Sequence, residues 1–159
     1  MKVSSPKIPL TPEEKLNLKK CKIKLHEIAD MDIMNLSQCL QSSFERANYL
    51  RGLAQFQTVP SIGPKVAKRL VDLGYYSLQE VKTEEGADLI NRLEERIGYW
   101  EDPCLEDSFR CIVHHANHPE SNKSWFDFTP DRKSYREQYG YPTTRPTIAW
   151  YEKKKNTNN

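Results

Sequence analysis

Val59-Pro60-Ser61-Ile62-Gly63-Pro64-Lys65-Val66-Ala67-Lys68-Arg69-Leu70 reads as a sharp turn that runs straight into a helix. Pro64 stands where a first helical residue belongs, because its fixed φ suits a helix start and its missing N–H is not needed there. Val66, Ala67, Leu70 and Val71 recur at helical spacing as far as Leu73-Gly74, and Gly74 ends the run. Upstream, Ser42-Ser43-Phe44-Glu45 is a capping box that opens a helix from about Phe44 to Thr58, with Ala47, Leu50, Leu53 and Ala54 inward. Two helices joined by a turn over Pro60 to Gly63 are therefore predicted. Such a turn presents backbone N–H groups at a helix N-terminus, which is an anion site. Main-chain donors meet phosphates rather than bases, so a site of this kind holds a backbone without reading sequence.

The charge pattern agrees with that placement. Residues 1–25 carry +5, residues 26–121 carry −7 and residues 122–159 carry +4, for a net charge of +2. Inside the acidic middle, residues 46–71 hold Arg46, Arg51, Lys65, Lys68 and Arg69 and no carboxylate. A local basic patch thus falls on the turn and its flanking helices.

The rest of the chain is also read as helical. Thr11-Pro12-Glu13-Glu14 starts a helix whose buried face includes Leu16, Ile23, Leu25, Ile28 and Ala29, and Asp30 or Asp32 opens a short one through Leu36 and Leu40. Ser77 caps a single turn. Leu89, Ile90, Leu93 and Ile97 mark a helix over 84–97, ended by Gly98, and Asp102-Pro103 opens another that stops near Pro119. Thr129-Pro130-Asp131 caps a last helix ending at Gly140. The predicted fold is all-α, with a tail over 1–10, a helical domain over 11–119 with its motif at 44–74, an aromatic and basic extension over 120–151 packed on it, and a disordered tail over 152–159.

The stretch Val59 to Leu70, followed by Leu73-Gly74-Tyr75-Tyr76-Ser77-Leu78-Gln79-Glu80-Val81, resembles the helix-hairpin-helix of DNA repair enzymes, DNA polymerase beta among them. The resemblance implies a SAM-like helical core. It implies that the amides of Ser61, Gly63, Lys65 and Val66 meet phosphate beside Ile62, and that carbonyls of Gln57, Val59 and Ile62 hold a monovalent cation. The chain departs from the pattern at Ser61, where the first hairpin glycine is usual. The helix from 84, the turn over Gly98 to Asp102 and the helix from 103 repeat the arrangement as a degenerate second copy, but that turn is acidic and is not expected to touch phosphate. A wider resemblance rests on Phe56-Gln57, Asp102-Pro103-Cys104-Leu105-Glu106-Asp107, Phe109-Arg110-Cys111, Trp125-Phe126-Asp127-Phe128-Thr129, Arg132-Lys133, Tyr135-Arg136 and Gly140-Tyr141-Pro142. Together these are similar to the bacterial pathogenicity-locus family, whose members are also described as mitomycin-resistance-type proteins. That family implies a bacterial helix-hairpin-helix protein and carries no activity across.

Other chemistry has weaker support. Cys111, His114 and His118 lie at helical spacings that can share a face, with His115 between them and Cys104 below, and this set is the zinc reading. No glutamate occupies a general-base place between the histidines, and a surface cluster at a helix C-terminus accounts for them equally well. Asp102, Glu106 and Asp107 fit a helix start whose dipole favours carboxylates. No phosphate loop or nucleophile triad is present, and nothing positively supports Lys65 or Lys68 as an imine-forming amine, so a non-enzyme without cofactor is expected. The Trp, Tyr and Phe residues after 124 are expected to cover a core, with Arg132, Lys133, Arg136 and Arg145 left as backbone contacts.

Cys21, Cys39, Cys104 and Cys111 are scattered through helical sequence, which reads as reduced thiols. No apolar run reaches the length of a membrane span, and Met1 to Leu10 lacks the apolar stretch of a secretory signal. A cytoplasmic protein is expected. Two functions of different class follow: non-sequence-specific binding of nucleic acid, DNA being expected and RNA left open, or a protein-docking adaptor built on the helical domain.

Overall fold

Each early helix begins where a side-chain oxygen can satisfy a first-turn amide. In the computed structural model, which describes residues 4–157 and side chains through Lys153, Thr11 accepts from the Glu14 N–H at 3.0 Å while Glu14 accepts from the Thr11 N–H at 2.9 Å. This capping box opens α1 (Pro12–Lys20). Asp32 caps α2 (Ile33–Leu40) and Ser43 caps α3 (Phe44–Phe56). A 3₁₀ helix, Leu25–Asp30, lies between α1 and α2. After α3 the chain turns and enters α4 (Pro64–Asp72), and α5 (Leu78–Val81) follows.

Further on come α6 (Gly86–Ile97), α7 (Pro103–Asn117), a 3₁₀ helix at Trp125–Phe128, α8 (Thr129–Tyr139) and α9 (Trp150–Thr157). The fold is all-α. Among the described residues the extended pairing is confined to one isolated bridge, Trp100 with Ala149.

The chain divides into two compact units at Glu80/Val81. In the first unit, Leu18, Ile28, Leu36, Leu40 and Leu50 make the core. The expected inward face of α1 is corrected here. Leu16 is 52% exposed, and Leu18, Asn17 and Glu14 turn inward instead. The segment expected as a loose tail is also placed. Ile8 and Leu10 pack against the core, and the Gln57 side-chain amide pairs with both the N–H and the C=O of Lys7 at 2.9 Å. Residues 1–3 of that segment lie outside the described residues.

Cys21 and Cys39 form a disulfide rather than two free thiols, because the ends of α1 and α2 meet. The buried Asn17 amide donates to the Leu40 carbonyl at 2.9 Å and fixes that meeting, which brings the two Cα atoms to 6.2 Å. Cys104 and Cys111 are free. With a sequence separation of 18 between the partners, loop-closure entropy makes the bond worth about 3 kcal/mol to the folded state. Urea denaturation with and without reductant is expected to show that loss, and an unchanged midpoint would contradict it.

In the second unit α6 and α7 pack closely. A Cβ on Gly86 would lie 3.0 Å from the Arg110 backbone, so glycine is what lets the helices approach. The 3₁₀ helix Trp125–Phe128 and α8 pack on α7, and the following segment returns to pair with Trp100 through the Trp100 N–H to Ile148 at 2.9 Å and the Trp150 N–H to Trp100 at 2.7 Å. Thr129 does not cap α8 as expected. It is the first helical residue, and its hydroxyl donates to Asp107 at 2.8 Å. Helix α9 replaces the expected disorder from 152 through 157, and residues 158–159 lie outside the described residues. Among the described residues, no helix is long and apolar enough to cross a membrane.

Candidate nucleic-acid interface

Between α3 and α4, residues 57–63 reverse the chain on two buried apolar anchors, Val59 and Ile62, which are 3% and 6% exposed. The Ile62 N–H donates to the Val59 carbonyl at 3.2 Å and closes the turn. That bond engages one of the three carbonyls, Gln57, Val59 and Ile62, assigned above to a monovalent cation. Ser61 is exposed at the tip with φ +69°, a left-handed conformation that costs an L-residue with a Cβ roughly 1–2 kcal/mol. The residue that departs from the usual glycine therefore stands where glycine is favoured. Ser61→Gly is expected to raise stability by about 0.5–1 kcal/mol after the added freedom of the unfolded chain is counted. A midpoint unchanged or lowered in thermal denaturation would show that the turn holds serine without strain.

Gly63 is the N-cap of α4 and supplies no side-chain acceptor, and Pro64 at the first position supplies no donor. The first-turn amides of Lys65 and Val66 thus meet no capping oxygen of the kind that Thr11, Asp32 and Ser43 provide to their helices. Lys65 and Lys68 are exposed beside that turn, and Val66 and Arg69 are half-buried. Lys68 reaches Asp72 at 2.9 Å, both side chains being well exposed. A surface pair of this type is worth only about 0.3–0.5 kcal/mol, so Lys68 can exchange Asp72 for another anion at small cost. Asp72 was outside the carboxylate-free run by one residue, and its i,i+4 spacing from Lys68 is the signal that finds it.

The two arginines of α3 are engaged elsewhere in the first unit. Arg46 forms a bidentate pair with Glu14 at 2.9 and 3.0 Å and donates to the Pro9 carbonyl at 2.6 Å. Its guanidinium holds the Glu14 carboxyl below the usual range, against the opposing effect of burial. Arg51 is half-buried and donates to the Met31 carbonyl at 3.4 Å. Both arginines fasten α3 to the elements before it, so the exposed cations beside the turn are Lys65 and Lys68.

The arginines of the C-terminal region are likewise committed. Glu106, 2% exposed, accepts from Arg136 at 2.9 and 3.0 Å and from Arg110 at 2.9 and 3.2 Å. Asp107, fully buried, accepts from Arg132 at 2.6 Å, and Glu94 accepts from Arg145 at 3.0 Å. The guanidinium groups of Arg136 and Arg145 both lie over the Tyr141 ring, 4.2 and 3.7 Å from its centroid. Arg132, Arg136 and Arg145 are therefore structural cations rather than backbone contacts, and Glu106, which also stands in the first turn of α7, and Asp107 are buried counterions of Arg136 and Arg132. Lys133 remains exposed.

Cys111, His114 and His118 do not come together as a ligand set. Among the described residues, no group of three His, Cys, Asp or Glu can hold a metal ion. Cys111 is buried and directed to the Lys123 carbonyl, and burial, with a smaller contribution from Asp127, pushes its thiol up to about 11. His114 bonds Ser121 at 2.9 Å, and burial followed by the neighbouring His118 and His115 lowers its pKa. His118 is exposed near Glu120.

The model of a family described as pathogenicity locus matches residues 50–134, just over half of the chain. The match runs from the second half of α3 through the 57–63 turn and α4 to the first half of α8. No curated protein and no solved structure matches.

Proposed function

The chain belongs to the pathogenicity-locus family, and we propose that it binds nucleic-acid backbone, DNA in the first place, without sequence preference. The proposed interface is α3, the 57–63 turn and α4 acting as a helix-hairpin-helix. The observation that carries the reading is the uncapped start of α4. Gly63 and Pro64 leave the first-turn amides without a side-chain acceptor, and Lys65 and Lys68 stand exposed next to them. A phosphate supplies the missing acceptor and the counter-charge together, which a neutral ligand does not.

In this reading the amides of Ser61, Gly63, Lys65 and Val66 hold phosphate oxygens, Lys65 and Lys68 neutralise charge, and Arg69 adds to the field. Ile62 works from beneath, as the buried anchor that keeps the turn in shape. No reacting group is assigned: the protein is a binder, accessory to repair or recombination in the cytoplasm. Two labelled duplexes of equal length and scrambled sequence test the claim. Equal affinities are expected, because main-chain and lysine contacts carry no base readout. A tenfold preference between them would replace this interface with one that reads bases.

A further inference from the structure

The first unit carries a second surface feature, a groove of about 610 Å³ walled by residues 6–10, α1, the 3₁₀ helix at Leu25, α3 and α4. Its apolar floor is formed by Ile8, Leu10, Leu25 and Leu53 with Tyr49 beside them. Leu10, Lys15 and Leu25 also line a smaller hollow of about 260 Å³, so the groove continues past α1. Among the described residues, the charged groups lining both lobes are lysines alone, Lys7, Lys15 and Lys68 in the larger and Lys15 and Lys19 in the smaller. The ammonium groups of Lys7, Lys15 and Lys19 take part in no hydrogen bond or ion pair among those residues.

A groove of this size is in the range that accepts a small molecule, and its chemistry selects one kind. The apolar floor needs an apolar body, and unpaired cations at the rim need an anionic head. A peptide fits poorly. The wall formed by residues 6–10 has already spent main-chain groups, because the Lys7 N–H and C=O are both taken by Gln57 and the Leu10 N–H by the Ile8 carbonyl. A peptide backbone laid along the apolar floor would find no main-chain partner at Lys7 or Leu10, whereas a hydrocarbon chain needs none.

We propose that this groove binds a free single-chain alkyl carboxylate, its tail on Ile8, Leu10, Leu25 and Leu53 and its head at Lys7 and Lys15. The groove draws Tyr49 and Leu53 from α3 and Pro64 and Lys68 from α4, and none of its lining residues belongs to the 57–63 turn of the proposed backbone interface. Titrating the full isotopically labelled chain with dodecanoate below its micelle concentration is expected to give saturable amide shifts at Ile8, Leu10 and Leu53. Affinity should rise about two- to fourfold per methylene from octanoate to dodecanoate. Dodecyltrimethylammonium, which has the same tail and the opposite charge, should bind at least tenfold more weakly. Lys7→Glu with Lys15→Glu, both at exposed positions, should weaken dodecanoate by a similar factor with amide dispersion unchanged. Lys65→Glu, which damages only the proposed DNA site, should leave dodecanoate binding intact. Equal binding of the two head groups, indifference to the double charge reversal, or shifts that never saturate would each overturn the proposal.

Discussion

Glu106→Gln is expected to lower the stability of the second unit by about 3–5 kcal/mol, the cost of leaving a buried charge without its partner. Glu106 is the common acceptor of Arg110 and Arg136, whose side chains are 17% and 7% exposed. Neither guanidinium can recover full hydration if the carboxylate is removed. Arg136 is held further by the Asn91 side chain at 3.0 Å and the Gly140 carbonyl at 3.1 Å, so it cannot swing out freely. All three tryptophans, Trp100, Trp125 and Trp150, lie after residue 81, and their fluorescence reports this unit alone. A fall in the midpoint of more than about 10 °C corresponds to the expected loss. A shift within a few degrees would mean that the network is solvated and contributes little.

Gly63→Val is the second large effect, and it acts on binding rather than on the fold. Gly63 has φ −101° and ψ −175°, an extended conformation open to any residue, and a Cβ there would meet no heavy atom within 4 Å. Valine is accommodated in the folded chain, at the cost of about 1 kcal/mol for a poorer N-cap. Its methyl groups would project into the open space beside the start of α4, which a phosphate approaching that turn would need. Helix content by circular dichroism is expected to stay at the wild-type level while DNA affinity falls about tenfold or more, since close approach of a phosphate to the amides is lost. Loss of helix with loss of binding would place the role of Gly63 inside the fold, and wild-type affinity would remove the turn from the interface.

The elements that came out of the sequence are those fixed locally. Thr11, Asp32 and Ser43 act within three residues of themselves, and Pro64 and Gly98 act on their own φ. The helices that they open or close were therefore legible. Features set by distant partners were not. Arg46 lies in a run without carboxylates, and nothing near it in sequence points to Glu14, 32 residues away. Arg132 and Arg136 find their acids 25 and 30 residues back, so a basic stretch in the sequence is neutralised in the fold. The Cys21–Cys39 bond follows from the meeting of two helix ends that helical periodicity alone does not bring together. At the candidate site, Lys65, Lys68 and the Gly63-Pro64 start of α4 were readable because they share one short segment. The left-handed φ of Ser61 came only with the backbone.

Whether amides and lysines at the start of α4 hold phosphate is decided by salt-dependent binding, followed by anisotropy of labelled duplex, nicked and single-stranded DNA from low to physiological ionic strength. Each phosphate neutralised contributes about 0.9 to the slope of log affinity against log salt on duplex DNA. Lys68→Ala is expected to flatten the slope by about that amount without changing the indifference to sequence. Absence of salt-sensitive affinity for any nucleic acid at low ionic strength would contradict the account and leave a protein-docking adaptor as the function of this chain.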